Sequence, residues 1–280
     1  MGKKSEENKK GLLEALDYNK NGKIDIEDII ALGLKTPGVK VEREALLRKE
    51  FQTICSSEDI DNIIKTSPKA AGISEKTIEK VADEIVKRER ACVSGISTIL
   101  SMPGGYAMLA TIPADIIQYY GYLLRTAQEL LYLYGFQQIN FETEEGGFDS
   151  TTINAITICL GVMYGIHGAN KAFIAISKAL ASGVEKKLLA KALTKGTIYP
   201  LVKEIGKWFG VKITKVVFAG AIKKSIPLIG ATLGFATTFF SFKPCCENLR
   251  KVLRETYLYN PDRKPENDEL IVDAEIKDAE

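Results

Sequence analysis

Residues 74–90 read SEKTIEKVADEIVKRER, and this stretch decides the fold class. Its apolar residues recur at spacings of three and four, the period of one face of an α-helix: Ile78, Val81, Ala82, Ile85 and Val86. Glu and Lys fill the opposite face, so the pattern predicts a long amphipathic helix. Strand signals are scarce, and the Val- and Ile-rich residues 212–218 lie in a helical context. We therefore predict an all-α protein.

Composition narrows the class of protein. Hydrophobic residues make up 45% of the chain and charged residues 26%, which is ordinary for a globular protein. The net charge of +2 favours neither nucleic acid nor acidic partners. The five cysteines form no C-x-x-C pair and the chain has one histidine, so we expect a reducing compartment and no zinc site. The first residues lack the apolar core of a signal peptide, and we expect a cytoplasmic protein.

Turns and linkers that contain Pro and Gly divide the sequence into three predicted domains. Residues 1–67 form a small EF-hand-like helix–loop–helix module, residues 68–258 a large glycine-rich helical domain, and residues 259–280 a disordered acidic tail. From Pro261 onward the tail holds eight acidic and three basic residues, too polar to pack a core. We expect helix boundaries at the following places: a stop near Gly33, helices over 41–54 and from Ser56 or Ser57 to about 65, and helices over 74–90, 114–135 and 245–258.

The most specific motif is DYNKNGKIDIED, residues 17–28. Its twelve positions match an EF-hand calcium loop, in which oxygens at fixed spacings surround one ion. Gly22 stands at the sixth position, where the chain turns sharply. The predicted ligands are Asp17, Asn19, Asn21, Lys23 through its carbonyl oxygen, Asp25 (commonly through water) and Asp28. The alternative is a calcium-free turn with capping Asp and Asn side chains.

Two features of this loop predict weak binding. Asp28 stands where the usual ligand is Glu, so the last carboxylate is one methylene shorter, which improves the relative standing of magnesium. EF-hands usually pair, and no second loop matches here. We expect calcium, with magnesium as the alternative ion, and a dissociation constant from roughly tens of micromolar to millimolar.

Three stretches lack charge and are long enough to span a bilayer: 91–114, 151–170 and 225–242. They contain GxxxG pairs, Gly161 with Gly165 and Gly230 with Gly234, whose spacing lets helices approach closely in lipid. Small residues serve a tightly packed soluble core equally well. Stable insertion, peripheral membrane association and a soluble core therefore remain three alternatives.

Among these three alternatives, the lysine-rich residues 171–224 favour association with a membrane over a soluble core. They hold twelve lysines, no arginine and two glutamates, a local charge of +10, with apolar residues such as Trp208 and Phe209 interleaved. A basic amphipathic helix is expected at an anionic membrane surface. A solvated charged face explains the lysines equally well. Nucleic acid is a weaker alternative, because arginine, the preferred base reader, is absent.

No motif predicts catalysis, and we assign no catalytic residues. His167 lies in an apolar, glycine-rich stretch and is expected to be packed. Asp115, Gln118, Tyr122 and Arg125 fall on one side of a predicted helix. A buried Asp115–Arg125 pair could orient that helix or line a polar cavity, and the structural role is favoured because buried charges are usually paired.

One family resemblance emerges from the glycine-rich blocks. Residues 102–135 read MPGGYAMLATIPADIIQYYGYLLRTAQELLYLYG and residues 226–235 read IPLIGATLGF. The Pro-Gly turn, Pro113-x-Asp115, Arg125 and the closing Tyr134-Gly135 resemble the bacterial EcsC family over roughly residues 75–258. The resemblance implies a bacterial, helical, membrane-associated protein and supplies no catalytic residues. The loop at 17–28 lies outside it and looks like an added regulatory module.

We therefore expect a calcium-responsive, non-enzymatic helical protein that associates with a membrane or a membrane complex. Its expected partners are the calcium ion and an anionic membrane surface or membrane protein, with cytoplasmic, peripheral attachment at the inner face of the cell membrane. Two alternatives stay open. One is a soluble interaction protein with a structural calcium site, and the other is an enzyme acting on lipid or another apolar substrate.

Overall fold

A computed structural model describes residues 17–18, 20–22, 25–94, 114–141, 148–181, 186–209 and 231–262, and it confirms the all-α fold class. No extended strand occurs among these residues. The helices in the described ranges are α1 Ile26–Lys35, α2 Arg43–Phe51, α3 Ser57–Lys65, α4 Glu75–Ser94, α5 Ala114–Leu133, α6 Ser150–Met163, α7 Ala169–Ala181, α8 Lys186–Thr194, α9 199–209 and α10 Ala231–Arg254.

Several helix ends lie where local chemistry predicts them. The Oγ of Ser56 accepts a hydrogen bond from the backbone N–H of Asp59 at 3.2 Å, and the Asp59 carboxylate accepts one from the N–H of Ser56. This capping box starts α3. At the C-terminal end of α5, Gly135 follows the helix with φ of +106°, a left-handed conformation that glycine adopts without steric penalty.

One predicted boundary is confirmed to within two residues and another is wrong. Helix α1, with a stop predicted near Gly33, ends at Lys35, and the missing side chain of Gly33 leaves room for packing. The last helix begins at Ala231, well before the predicted residue 245, and Pro244 lies inside it. Proline disfavours a helix interior, but four neighbours around it are buried and hold the helix in place: Phe242, Cys245, Cys246 and Leu249.

Residue contacts divide the chain into two compact units. The first consists of Met1–Lys40, Arg88–Arg125 and Gly206–Lys243. Within it, eight of the ten residues of α1 are buried. A Cβ atom added to Gly33 would lie 2.7 Å from Cδ1 of Leu124, and one added to Gly206 would lie 3.2 Å from Cγ2 of Ile26. Helix α1 is therefore in direct contact with α5 and with α9.

The second unit consists of Val41–Lys87, Thr126–Ile205 and Pro244–Glu280. Helix α6 packs against α7 and α8, and α2 packs against α3. Residues just before α2 join this unit through long-range hydrogen bonds. For example, the backbone N–H of Val41 donates to Oε1 of Gln128 at 3.1 Å. The boundary placed between residues 67 and 68, and the one between 258 and 259, stay predictions.

The two glycines of the Gly161–Gly165 pair have different roles. A Cβ atom on Gly161 would lie 2.7 Å from Cδ1 of Ile205 and 3.1 Å from Cβ of Ala169, so this position must be small for α6 to pack. Gly165 follows α6 with φ of +68° and belongs to the turn that ends the helix. Their spacing thus reflects packing and a turn within one unit. The second pair, Gly230 and Gly234, lies outside the residues whose side chains are described.

Candidate functional site

The candidate metal loop curls around the side chain of Asp17. Its Oδ1 accepts a hydrogen bond from the backbone N–H of Asn21 at 2.9 Å, and its Oδ2 accepts one from Gly22 at 2.6 Å. Gly22 has φ of +81° and Lys20 has φ of 57°. Both lie in the left-handed region, which is favourable for glycine and uncommon for lysine. The sharp turn predicted at Gly22 is present.

Asp25 connects the loop to α1. It is the N-cap of the helix, and its Oδ1 accepts hydrogen bonds from the backbone N–H groups of Glu27 at 3.0 Å and Asp28 at 3.4 Å. In return, Oδ2 of Asp28 accepts one from the N–H of Asp25 at 2.8 Å. The side chain of Asp28 is fully buried. These two carboxylates therefore fix the start of the helix that leaves the loop.

The predicted ligands are only partly brought together. The Nδ2 of Asn21 donates to Oδ2 of Asp25 at 2.8 Å, which joins the middle of the loop to its end. Asn19 and Lys23 lie outside the described residues. Among the residues that are described, no three His, Cys, Asp or Glu side chains are close enough to hold a metal ion. The loop has the backbone turn and the oxygen-rich residue types of a calcium site. Its described carboxylates accept hydrogen bonds from groups of the same loop: Asp17 from Asn21 and Gly22, and Asp25 from Asn21.

Of the polar residues predicted on one side of α5, Arg125 has described contacts with α4 and with the turn after α1. The Nε of Arg125 lies 3.5 Å from Oε2 of Glu89, a carboxylate that is 3% exposed. The Nη1 of Arg125 donates to the carbonyl oxygen of Gly38. Arg125 thus links α4, α5 and the turn after α1 within the first unit. The side chain of Asp115 lies outside the described residues, so its pairing with Arg125 stays a prediction.

The single histidine is exposed, contrary to the expectation that it is packed. His167 lies in the short turn between α6 and α7, where the chain reverses at Gly165 and Gly168, both with positive φ. A polar ring suits this exposed turn, and the apolar neighbours in sequence misled the prediction.

Exposed lysines line the segment from α7 to α9: Lys171, Lys187, Lys191, Lys195, Lys203 and Lys207. In this segment Trp208 is 37% exposed and Leu180 is 46% exposed, whereas Phe209 is fully buried. Lys203 lies over the ring of Tyr199, with its Nζ 4.9 Å from the ring centroid. The segment therefore presents mainly positive charge and a few apolar side chains to solvent.

Sequence reasoning missed an ionic cluster centred on Arg250. This side chain is 5% exposed, and its guanidinium lies 2.6 Å from Oε2 of Glu79, 2.6 Å from Oδ1 of Asp83 and 2.9 Å from Oε1 of Glu247. The hydroxyl of Tyr134 also donates to Glu79. Burial lowers the pKa of Arg250, but hydrogen bonds to Asp83 and Glu79 outweigh it and raise the pKa overall. The i,i+4 spacing of Glu79 and Asp83 places both carboxylates on one side of α4, which could have indicated a shared cation. The sequence could not identify that cation as Arg250, because it lies far away along the chain.

No family model, curated protein or solved structure matches the chain. Within the described residues, no helix has both the length and the apolar character that crossing a bilayer requires. The site must therefore be interpreted from its own geometry.

Proposed function

We propose that this is a calcium-responsive, non-enzymatic helical protein of the EcsC type that associates with an anionic membrane surface or a membrane complex. The observation that carries the calcium part is the loop at residues 17–28. Its sixth position, Gly22, has the left-handed backbone that the EF-hand pattern requires.

Calcium would be held by the oxygens of Asp17, Asn19, Asn21, the Lys23 carbonyl, Asp25 and Asp28. A hard divalent cation prefers such carboxylate, amide and carbonyl oxygens. Asp25 and Asn21 are already within hydrogen-bond distance of each other, so their oxygens need only local rotation to face a shared ion. The buried carboxylate of Asp28 would gain most, because a cation would offset the cost of burying its charge.

The response to calcium would travel through α1. This helix begins directly after Asp25, and its buried face contacts α5 at Gly33 and α9 at Ile26. An ion that orders the loop would favour the state in which α1 is packed in this way. Calcium shifts an equilibrium only by its differential affinity for two states, so the packed and loosened states of α1 are the pair to measure.

The membrane part rests on the lysine-rich segment from α7 to α9. Each lysine near an anionic surface contributes about 1 kcal/mol to binding. The exposed Leu180 would add apolar contact with the headgroup region. The resemblance to the EcsC family supports the same proposal.

The first experiment measures metal binding by thermal unfolding. With a dissociation constant near 0.1 mM, about 2 mM calcium should stabilise the fold by roughly 1.8 kcal/mol, a rise in Tm of a few degrees. The variant Asp17→Asn keeps one oxygen that can accept one of the two backbone hydrogen bonds but removes the charge, and it should lose most of the shift. Asp262→Asn, an exposed change elsewhere, should keep it. An unchanged Tm of the parent protein in calcium and in magnesium would overturn the metal proposal.

The second experiment measures membrane binding by co-sedimentation with anionic vesicles, once in calcium and once in chelator. Pelleting that depends on calcium supports one switch that joins the loop to the lysine-rich segment. Pelleting that ignores calcium supports membrane binding and reduces the loop to a structural site. No pelleting in either condition overturns the membrane proposal.

The burial of α1 favours one alternative, a soluble interaction protein whose calcium ion only stabilises the fold. A helix with eight of ten residues buried has little freedom to act as a detachable module. Equal partner binding in calcium and chelator, together with a calcium-dependent Tm, would support this alternative.

A further inference from the structure

The lysines of α8 form one positive face. Lys187, Lys191 and Lys195 follow one another at intervals of four, which places them along one side of a helix. The backbone N–H of Lys195 still donates to the carbonyl oxygen of Lys191 at 2.9 Å, so the helical turn extends to it. All three are exposed. We call these three residues the lysine face.

The lysine face lacks ion-pair partners in the part of the chain that the structure describes. Within the described residues, none of its three members forms an ion pair. Some exposed cations elsewhere do, such as Arg48, which lies 3.0 Å from Glu44 and 2.9 Å from Asp61, whereas Lys65, Lys76 and Lys80 form no ion pair within the described residues. Residues 171–209 hold eight lysines and two glutamates, a local charge of +6. The surface therefore suits an anionic partner.

The described chain ends in the same compact unit as the lysine face. The Nζ of Lys178, on α7, lies 5.9 Å from the ring centroid of Tyr257. The last described residue, Asp262, follows five positions later and is exposed. Five residues span at most about 18 Å. The Nζ of Lys69 also lies 5.2 Å from the ring centroid of Tyr259, so the chain end lies near the turn before α4 as well as near α7. Residues 263–280, which we call the acidic segment, start from this region.

The acidic segment has the complementary charge. It holds seven acidic residues, Glu266, Asp268, Glu269, Asp273, Glu275, Asp278 and Glu280, against three basic ones, a net charge of −4. Fully extended, its eighteen residues reach up to about 60 Å, more than enough for the lysine face. A short tether also gives an effective concentration in the millimolar range, so even weak charge pairing becomes populated.

We propose that the acidic segment docks on the lysine face of its own chain and competes there with other anions. Because both partners are exposed to solvent, the contact is electrostatic and weakens at high ionic strength. Where the competing anion is a lipid headgroup, the consequence rests on the membrane function proposed above, and the acidic segment would then restrain membrane binding.

Docking itself is tested without any membrane, by zero-length carbodiimide cross-linking of the full chain followed by peptide mass spectrometry. The lysine face should form most of the cross-links to residues 266–280 at low salt, and their yield should fall several-fold at high salt. Lys65, Lys76 and Lys80, which are also exposed, are internal controls. Cross-links that are absent, or spread equally over the control lysines, would overturn the proposal.

A second measurement follows cleavage of the acidic segment by a glutamate-specific protease. The full-length triple variant Lys187→Gln, Lys191→Gln, Lys195→Gln should be cleaved after Glu266, Glu269 or Glu275 several-fold faster than the parent protein. The matched variant Lys65→Gln, Lys76→Gln, Lys80→Gln removes the same charge elsewhere and should be cleaved at the parental rate. Equal rates in all three proteins would contradict docking.

Vesicle co-sedimentation separates this inference from the proposed function. A chain ending at Asp262 should bind anionic vesicles several-fold more tightly than the full chain. If neither chain binds vesicles, the membrane function fails, and cross-linking alone decides docking. If both chains bind equally well, the proposed competition is wrong.

Discussion

Two groups of cations in the second unit differ in what their charges do. Arg43 and Arg250 are each about 5% exposed, and every described contact of their guanidinium groups is with protein oxygens. Lys187, Lys191 and Lys195 are exposed and form no ion pair within the described residues. The planar guanidinium directs several donors at fixed angles, whereas an ammonium is a hydrated point charge on a flexible stem. The arginines hold the fold together, and the lysines are available to a partner.

The largest expected effect is that of Arg250→Ala. The change removes the 2.6 Å partner of Glu79, which is 21% exposed and keeps Arg254 at 3.2 Å. Breaking a buried ion pair from one side typically costs 3–5 kcal/mol, and the partial exposure of the carboxylates and the remaining Arg254 place this variant at about 3 kcal/mol. Urea unfolding at neutral pH measures it. A loss below about 1 kcal/mol would mean that the cluster is solvated and that the comparison between arginines and lysines fails.

The next largest effect is that of Arg43→Lys, which keeps the positive charge but removes the planar guanidinium group with its several donors. The Nε, Nη1 and Nη2 of Arg43 donate to the carbonyl oxygens of Phe136, Ile64 and Thr66 at 3.0, 2.6 and 3.0 Å. A lysine cannot reach all three acceptors, and each buried group left unpaired costs about 1–3 kcal/mol. We expect a loss of about 2 kcal/mol in urea unfolding. An unchanged stability would show that charge alone, and not geometry, is what this site requires.

These two arginines also show where sequence reasoning stops. The helical period of residues 74–90, the cap at Ser56 and the glycine after α5 are local features, and the structure confirms the elements they predict. The acceptors of Arg43 are up to 93 residues away in sequence, and the Glu79 partner of Arg250 is 171 residues away. Spacing along the chain carries no information about such pairs, so the ionic cluster could not be predicted.

The third effect concerns pH and a tyrosine beside Arg43. Burial raises the pKa of Tyr132 to about 12, and Arg43 opposes that shift only weakly. Because the ordinary pKa is about 10, the unfolded chain loses this proton first, and stability falls as pH rises from about 10 to 12. We expect Tyr132 to account for roughly 1–2 kcal/mol of that loss. Comparing Tyr132→Phe with the parent protein at pH 9 and pH 11.5 measures it, and an identical decline in both proteins would contradict the assignment.

In the candidate site, too, features set by residues close together in sequence were predictable, whereas contacts between distant helices were not. The turn at Gly22 depends on residues within the loop, and the motif predicts it. The cap at Asp25 is also local, but it belongs to the alternative of a calcium-free turn with capping Asp and Asn side chains. The packing of α1 against α5 was not predicted. A helix stop near Gly33 was predicted and α1 ends at Lys35, but the contact with Leu124 was not predicted, because a glycine near a helix end and one that admits a neighbouring side chain have the same letter in the sequence.

The smallest expected effect on stability is that of the lysine face. Replacing Lys187, Lys191 and Lys195 together by Gln removes no described contact, so urea unfolding should change by less than about 0.5 kcal/mol. The same variant should lose most of the salt-sensitive binding to anionic vesicles, because each lysine near such a surface contributes about 1 kcal/mol. The matched Lys65, Lys76 and Lys80 variant should keep that binding. A triple variant that unfolds as readily as Arg250→Ala would place these lysines among the structural cations, and the contrast between the two groups would then be wrong.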